Sequence, residues 1–177
     1  MASTPGSLMV RANLVGTLVF GVTATYAAAV FDSLAQWVGA ITAMVLFAIG
    51  VFVFIWSYWT AVQRSRTEQI AVSQLYLLLG SAIPPRVRVT MNLALVAQFG
   101  IALATALVRP NGPDGNPGSS LAVGFLVPMF GFGLNGLWAA THGRFEPRAD
   151  AMDPTGSGSP AALTESGDQI GQNADHG

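Results

Sequence analysis

Charged side chains divide this sequence so unevenly that their placement limits the fold more than any other feature. Twenty uncharged residues separate Arg11 from Asp32, thirty-one separate Asp32 from Arg64, twenty separate Arg88 from Arg109, and twenty-nine separate Asp114 from Arg144. A helix that crosses the hydrocarbon core needs roughly 20 mostly apolar residues. Each run meets that length, and the apolar parts place four spans at about 12–31, 37–60, 89–108 and 120–141. Composition agrees: 51% of residues are hydrophobic and 10% charged, where soluble domains carry about 25% charged. The expected fold is an all-α integral membrane protein: four transmembrane helices, a cytoplasmic interfacial amphipathic helix and a disordered C-terminal tail.

The second span carries its own ruler. Trp37 stands at one end and Trp56, Tyr58 and Trp59 at the other, as interfacial aromatic belts do. The step from Trp37 to Trp59 is about 33 Å at 1.5 Å per residue, which matches a bilayer. With four spans, Arg11, Arg64, Arg66, Arg86, Arg88, Arg144 and Arg148 share one side, and Arg109 lies on the other with Asp32 and Asp114. By the positive-inside rule both termini are expected in the cytoplasm, in a multi-pass plasma-membrane protein.

Residues 64–88, "RSRTEQIAVSQLYLLLGSAIPPRVR", could be taken for a fifth span. Only seventeen residues lie between Glu68 and Arg86, and they include Gln69, Ser73, Gln74, Ser81 and two prolines. Spanning here would also split the two Arg-x-Arg pairs across the bilayer. The residues fit an interfacial helix over about 66–82. "SRTE" at 65–68 matches a capping box, with Ser65 as cap and Glu68 reaching back. Ala71, Leu75, Leu78, Leu79 and Ala82 recur on one apolar face, and Pro84–Pro85 end the helix. That face either dips into the headgroup boundary, covers the ends of the chain's own spans, or docks on a partner through Leu75, Tyr76, Leu78 and Leu79. An unbroken continuation of span two through Arg64 is the alternative.

Outside the spans little remains. Residues 1–10 and the tail 149–177 are expected to be disordered; the tail has five acidic residues and no basic one. The Ala27-Ala28-Ala29 run resembles a signal-peptidase site, but no basic segment precedes Arg11, so a retained span is favoured. The loop 109–120, "RPNGPDGNPGSS", is a turn cluster too small for an external domain. The body 1–148 carries eight Arg against four acids, a net +4, and Arg64, Arg66, Arg86 and Arg88 are candidates for contact with anionic lipid headgroups. Neutralisation of that charge by the acidic tail is a second possible fate, and positive-inside topology alone is sufficient to explain it. The absence of Lys, in a chain rich in Ala, Gly and Val, points to a GC-rich genome and an actinobacterial source.

No span contains Asp, Glu, Lys, Arg or His, the residues that mark proton relays and ion paths. There is no Cys, so disulfides, thiolate metal sites and cysteine nucleophiles are excluded. His142 at the inner end of span four and His176 in the tail assemble no metal site, and no P-loop, dinucleotide or nucleophile motif occurs. No enzyme activity and no cofactor are expected. The spans instead hold packing chemistry. Ala24/Ala28, Ala94/Gln98 and Gly100/Ala104 permit close helix approach, and Asn13, Asn92, Gln98 and Asn135 can bond between helices. In "GFLVPMFGFGLNG" (124–136), Pro128 is expected to kink the span. Gly131, Gly133 and Gly136 leave grooves that receive a lipid chain or a neighbouring helix or only compensate for the kink, and Gly124, Pro128 and Asn135 join Gly131 and Gly133 as candidates for helix packing or a lipid groove.

These features favour a non-catalytic accessory subunit of a larger inner-membrane complex, with other membrane subunits and lipids as partners and no nucleic acid. A small oligomeric transporter or channel is the alternative, and it would need a polar pathway that scattered amides do not specify. The layout resembles small four-span membrane proteins of actinobacteria, among them an accessory subunit associated with mycobacterial Mce-type lipid-import complexes. The likeness covers about residues 8–146: the short outer loops, the "QRSRTEQ" inner boundary, the prolines before "RVRV", and the span ending in "GLWAATHGRFEPR". It implies a partner-bound protein that assists or regulates a lipid transporter and has no substrate site of its own.

Overall fold

The computed structural model describes residues 6–79, 83–111 and 120–147. Five α-helices occur among them: α1 (Ser7–Val30), α2 (Ser33–Arg64), α3 (Val72–Tyr76), α4 (Pro85–Val108) and α5 (Pro128–His142), with a 3-10 helix (Ser120–Leu126) leading into α5. Four segments are long and apolar enough to cross a membrane: α1, α2, α4, and Leu121–His142, which joins the 3-10 helix to α5. The chain is thus an all-helical protein with four candidate membrane spans. Helix begins at Ser7, so residues 7–10 belong to the first span and are not the irregular lead expected; the tail 149–177 and Ala82 lie outside the described residues.

Local chemistry sets the helix ends. Phe31 takes a left-handed turn (φ 52), and Asp32 then caps α2 by accepting the Ala35 N–H at 2.6 Å. Pro85 opens α4 and Pro128 opens α5, each at a first-turn position where a missing N–H costs nothing. At the expected kink, span four changes from 3-10 to α geometry at Pro128, because proline suits a helix start better than a helix interior.

The third segment of the sequence also needs correction. Span two runs unbroken to Arg64, and Ser65 is its C-terminal cap, not the start of another helix. The Ser65 hydroxyl donates to the Val62 carbonyl, and Glu68 pairs with Arg64 instead of reaching back to Ser65. Residues 68–70 run past the chain that leaves α5: the Gln69 N–H donates to the Glu146 carbonyl at 2.9 Å, and Glu68 bridges to Pro147. Among the described residues of the expected 66–82, Val72–Tyr76 is the α-helical part. So short a helix is marginal alone, and its place is set by packing.

The four spans are not equivalent. Of the apolar window in Leu121–His142, 61% is buried, against 28%, 22% and 28% in α1, α2 and α4. Span four is therefore the central element, with α1, α2, α3 and α4 all in contact with α5. Each outer helix turns one narrow stripe inward. In α1 it is Asn13, Gly16, Phe20, Ala24 and Ala27, at steps of three and four. The tightest crossing joins α2 to α5 at two glycines. A Cβ on Gly50 would lie 2.5 Å from the Phe130 nitrogen, and one on Gly133 would lie 2.5 Å from the Gly50 carbonyl oxygen. Backbone meets backbone here, as small residues in membrane helices allow.

Candidate functional site

Two amide clusters lie inside the bundle. The first ties α1 to α4: Gln98 Nε2 donates to Asn13 Oδ1 at 3.1 Å and to Thr17 Oγ1 at 2.7 Å, with Asn13 and Gln98 fully buried. The second ties α5 to α3 and α4. Asn135 Nδ2 donates to the Tyr76 carbonyl at 3.0 Å and to Asn92 Oδ1 at 3.2 Å, while Asn92 Nδ2 donates to the Leu77 carbonyl at 2.8 Å. An unpaired buried amide costs about 1–3 kcal/mol, so these bonds fix register. They leave Asn13 Nδ2, Gln98 Oε1 and Asn135 Oδ1 without a partner and offer no charged or acid–base group.

Charge appears where the spans end. Arg64 is a hub at the last turn of α2. Its guanidinium donates to Glu68 at 2.6 Å, to the Ala140 carbonyl at 2.8 Å and to the Gly143 carbonyl at 3.1 Å, and lies 5.5 Å from the centre of the Phe145 ring. The planar fork suits that divergent set of acceptors, and the cation meets the negative end of α5. At the opposite end, Arg109 donates to the Ala28 carbonyl at 3.2 Å and lies 4.5 Å from the centre of the Phe31 ring. Arg11, Arg64, Arg66, Arg86, Arg88 and Arg144 gather where α1 and α4 start and α2 and α5 end; Arg148 is outside the described residues.

The docking residues divide. Leu75, Tyr76 and Leu78 are buried in the protein's own core, and only Leu79 is exposed. Tyr76 stacks on Phe54 of α2 (4.4 Å between centroids, 18°), and its ring and the Ser57 hydroxyl close on Gly136 of α5. Burial pushes the Tyr76 phenol above its ordinary pKa, so it stays neutral at physiological pH. Partner docking through this triad is therefore corrected: α3 covers α5, and its apolar side chains are already spent there.

The grooves of span four are filled in the same way. Gly124 faces the Phe20 ring, Gly131 faces Gln98 and Leu95, and Gly133 faces α2; Pro128 and Asn135 are buried. The neighbouring-helix reading of these residues fits this packing. Among the lipid-contact candidates, Arg64 is committed to protein acceptors, Arg66 and Arg86 are exposed, and Arg88 is half-buried.

Two features were not singled out in the sequence. Gly50 gave no warning because its partner, Gly133, is 83 positions away. The outward face of α4 was visible only as a Gly100/Ala104 spacing, with no indication of which way it points. Among the described residues, no group of three His, Cys, Asp or Glu is placed to hold a metal. No protein-family model, curated protein or solved structure matches the chain.

Proposed function

We propose that this protein is a non-catalytic accessory subunit of a larger plasma-membrane complex, and that a partner helix docks on the outward face of α4. The observation that carries the reading is Gly100. A Cβ there would meet nothing within 4 Å, whereas every other described glycine has a close neighbour. Glycine inside a helix costs about 1 kcal/mol relative to alanine, and at Gly100 no contact within the chain offsets that cost. Ala97 and Ala104 are exposed on the same face, so α4 offers lipid a strip of small residues of the kind that lets another helix approach closely. The inward face of α4, from Met91 through Ala94, Leu95, Gln98 and Ala102 to Thr105, serves the bundle separately.

The basic end faces the cytoplasm in this reading. The likeness of layout to accessory subunits of Mce-type lipid-import complexes makes a lipid transporter the first complex to test, with this chain assisting or regulating it. Tagged full-length protein purified in mild detergent should bring stoichiometric integral-membrane partners. Gly100→Leu should remove them without lowering the melting temperature, since a Cβ there meets nothing within 4 Å. Isolation of a lone monomer would defeat the proposal. A homo-oligomer that moves a solute into liposomes would establish the transporter alternative instead.

A further inference from the structure

The surface between α2 and α5 holds a shallow groove of about 300 Å³ lined by Phe52, Val53, Trp56 and Leu137. Phe52 and Trp56 are exposed, and Val53 and Leu137 are half-buried. Trp56 belongs to the aromatic belt, so the groove lies just inside the boundary of the hydrocarbon. From Leu137 to the end of α5 at His142 is about 8 Å by helical rise, comparable to the depth of the headgroup layer over a 30 Å core.

The two chains that continue from the groove walls carry the charge. Residues 65–69 follow α2, residues 143–147 follow α5, and the two chains meet at the Glu68–Pro147 bridge and the Gln69–Glu146 hydrogen bond. Arg66 and Arg144 are exposed on this pair. Arg64 between them is already neutralised by Glu68 at 2.6 Å. Phe145 turns to Arg64. Among the described residues Glu146 is an exposed acid beside them, and the five charges Arg64, Arg66, Glu68, Arg144 and Glu146 sum to +1.

We infer that this groove seats an acyl chain of an anionic phospholipid whose phosphate is held by Arg66 and Arg144. The apolar walls and the exposed cations on the chains that follow α2 and α5 match the two halves of such a lipid. A second protein helix would match the walls but would leave the cations without a partner. The inference is independent of the α4 face, which lies on another helix.

Native mass spectrometry of full-length protein released from membranes of equal phosphatidylglycerol and phosphatidylcholine tests it. One phosphatidylglycerol should be retained in preference. Arg144→Gln and Arg66→Gln should each lower that retention about fivefold, the equivalent of one near-surface cation. Phe52→Ala, which removes a wall that is 68% exposed and leaves the bundle intact, should lower it too, while Leu107→Ala at the far end of α4 should not. Equal retention of both lipids overturns the inference, as does an equal loss with Leu107→Ala, which would mean an unspecific lipid shell.

Discussion

Arg64 shows how one side chain can unite elements that sequence spacing keeps apart. It joins the end of α2 to Glu68 and to the last carbonyls of α5, 76 and 79 positions away. Arg64→Ala would leave two carbonyls and a carboxylate without their donor, at a cost of about 1–3 kcal/mol given its partial exposure. Arg64→Lys should recover less than half of that, because an ammonium cannot reproduce the fork. Thermal unfolding in detergent measures both, and equal stability of Arg64→Ala and wild type would show that the hub is idle. Asn135 works on the same principle in the interior, holding α3 through the Tyr76 carbonyl. The amides themselves were legible in the sequence, since uncharged polar groups in apolar runs are conspicuous. Their partners were not, because a hydrogen bond between helices has no signature along the chain.

Among the elements, α2 and α5 form the closest pair, and their contact depends on the absence of side chains at Gly50 and Gly133. Gly133→Leu would drive a side chain into the α2 backbone, 2.5 Å from the Gly50 carbonyl oxygen. Overpacking of this kind costs about 3 kcal/mol. Unfolding by SDS titration should shift accordingly, whereas Gly100→Leu, whose Cβ faces open space, should not lower stability. The contrast between two glycines in apolar helices separates packing inside the chain from packing outside it. α3 illustrates the reverse limit. Its apolar period was read as a long surface helix, yet the pull of Glu68 towards Arg64 and the pairing of Gln69 with Glu146 break the helix before it starts. What remains is a single turn that lays Leu75, Tyr76 and Leu78 over α5.

For the whole molecule, the arginines give the testable asymmetry. Cysteines introduced into this cysteine-free chain at Ser73 and Asn116 should react with impermeant reagents from opposite sides of the membrane, Ser73 from the cytoplasm. Labelling of both from one side would exclude the four-span arrangement. The number of candidate spans was determined by the sequence alone, because charge is so costly in hydrocarbon that uncharged runs of sufficient length have few other uses. The grouping of six arginines at one end follows from the same runs by alternation. Tertiary structure alone decided which span sits in the centre, which glycines face protein and which face lipid, and that α3 is an internal cover. Those outcomes depend on how the helices rotate about their axes against one another. In a membrane, where every face of a helix can be apolar, hydrophobicity does not record that rotation.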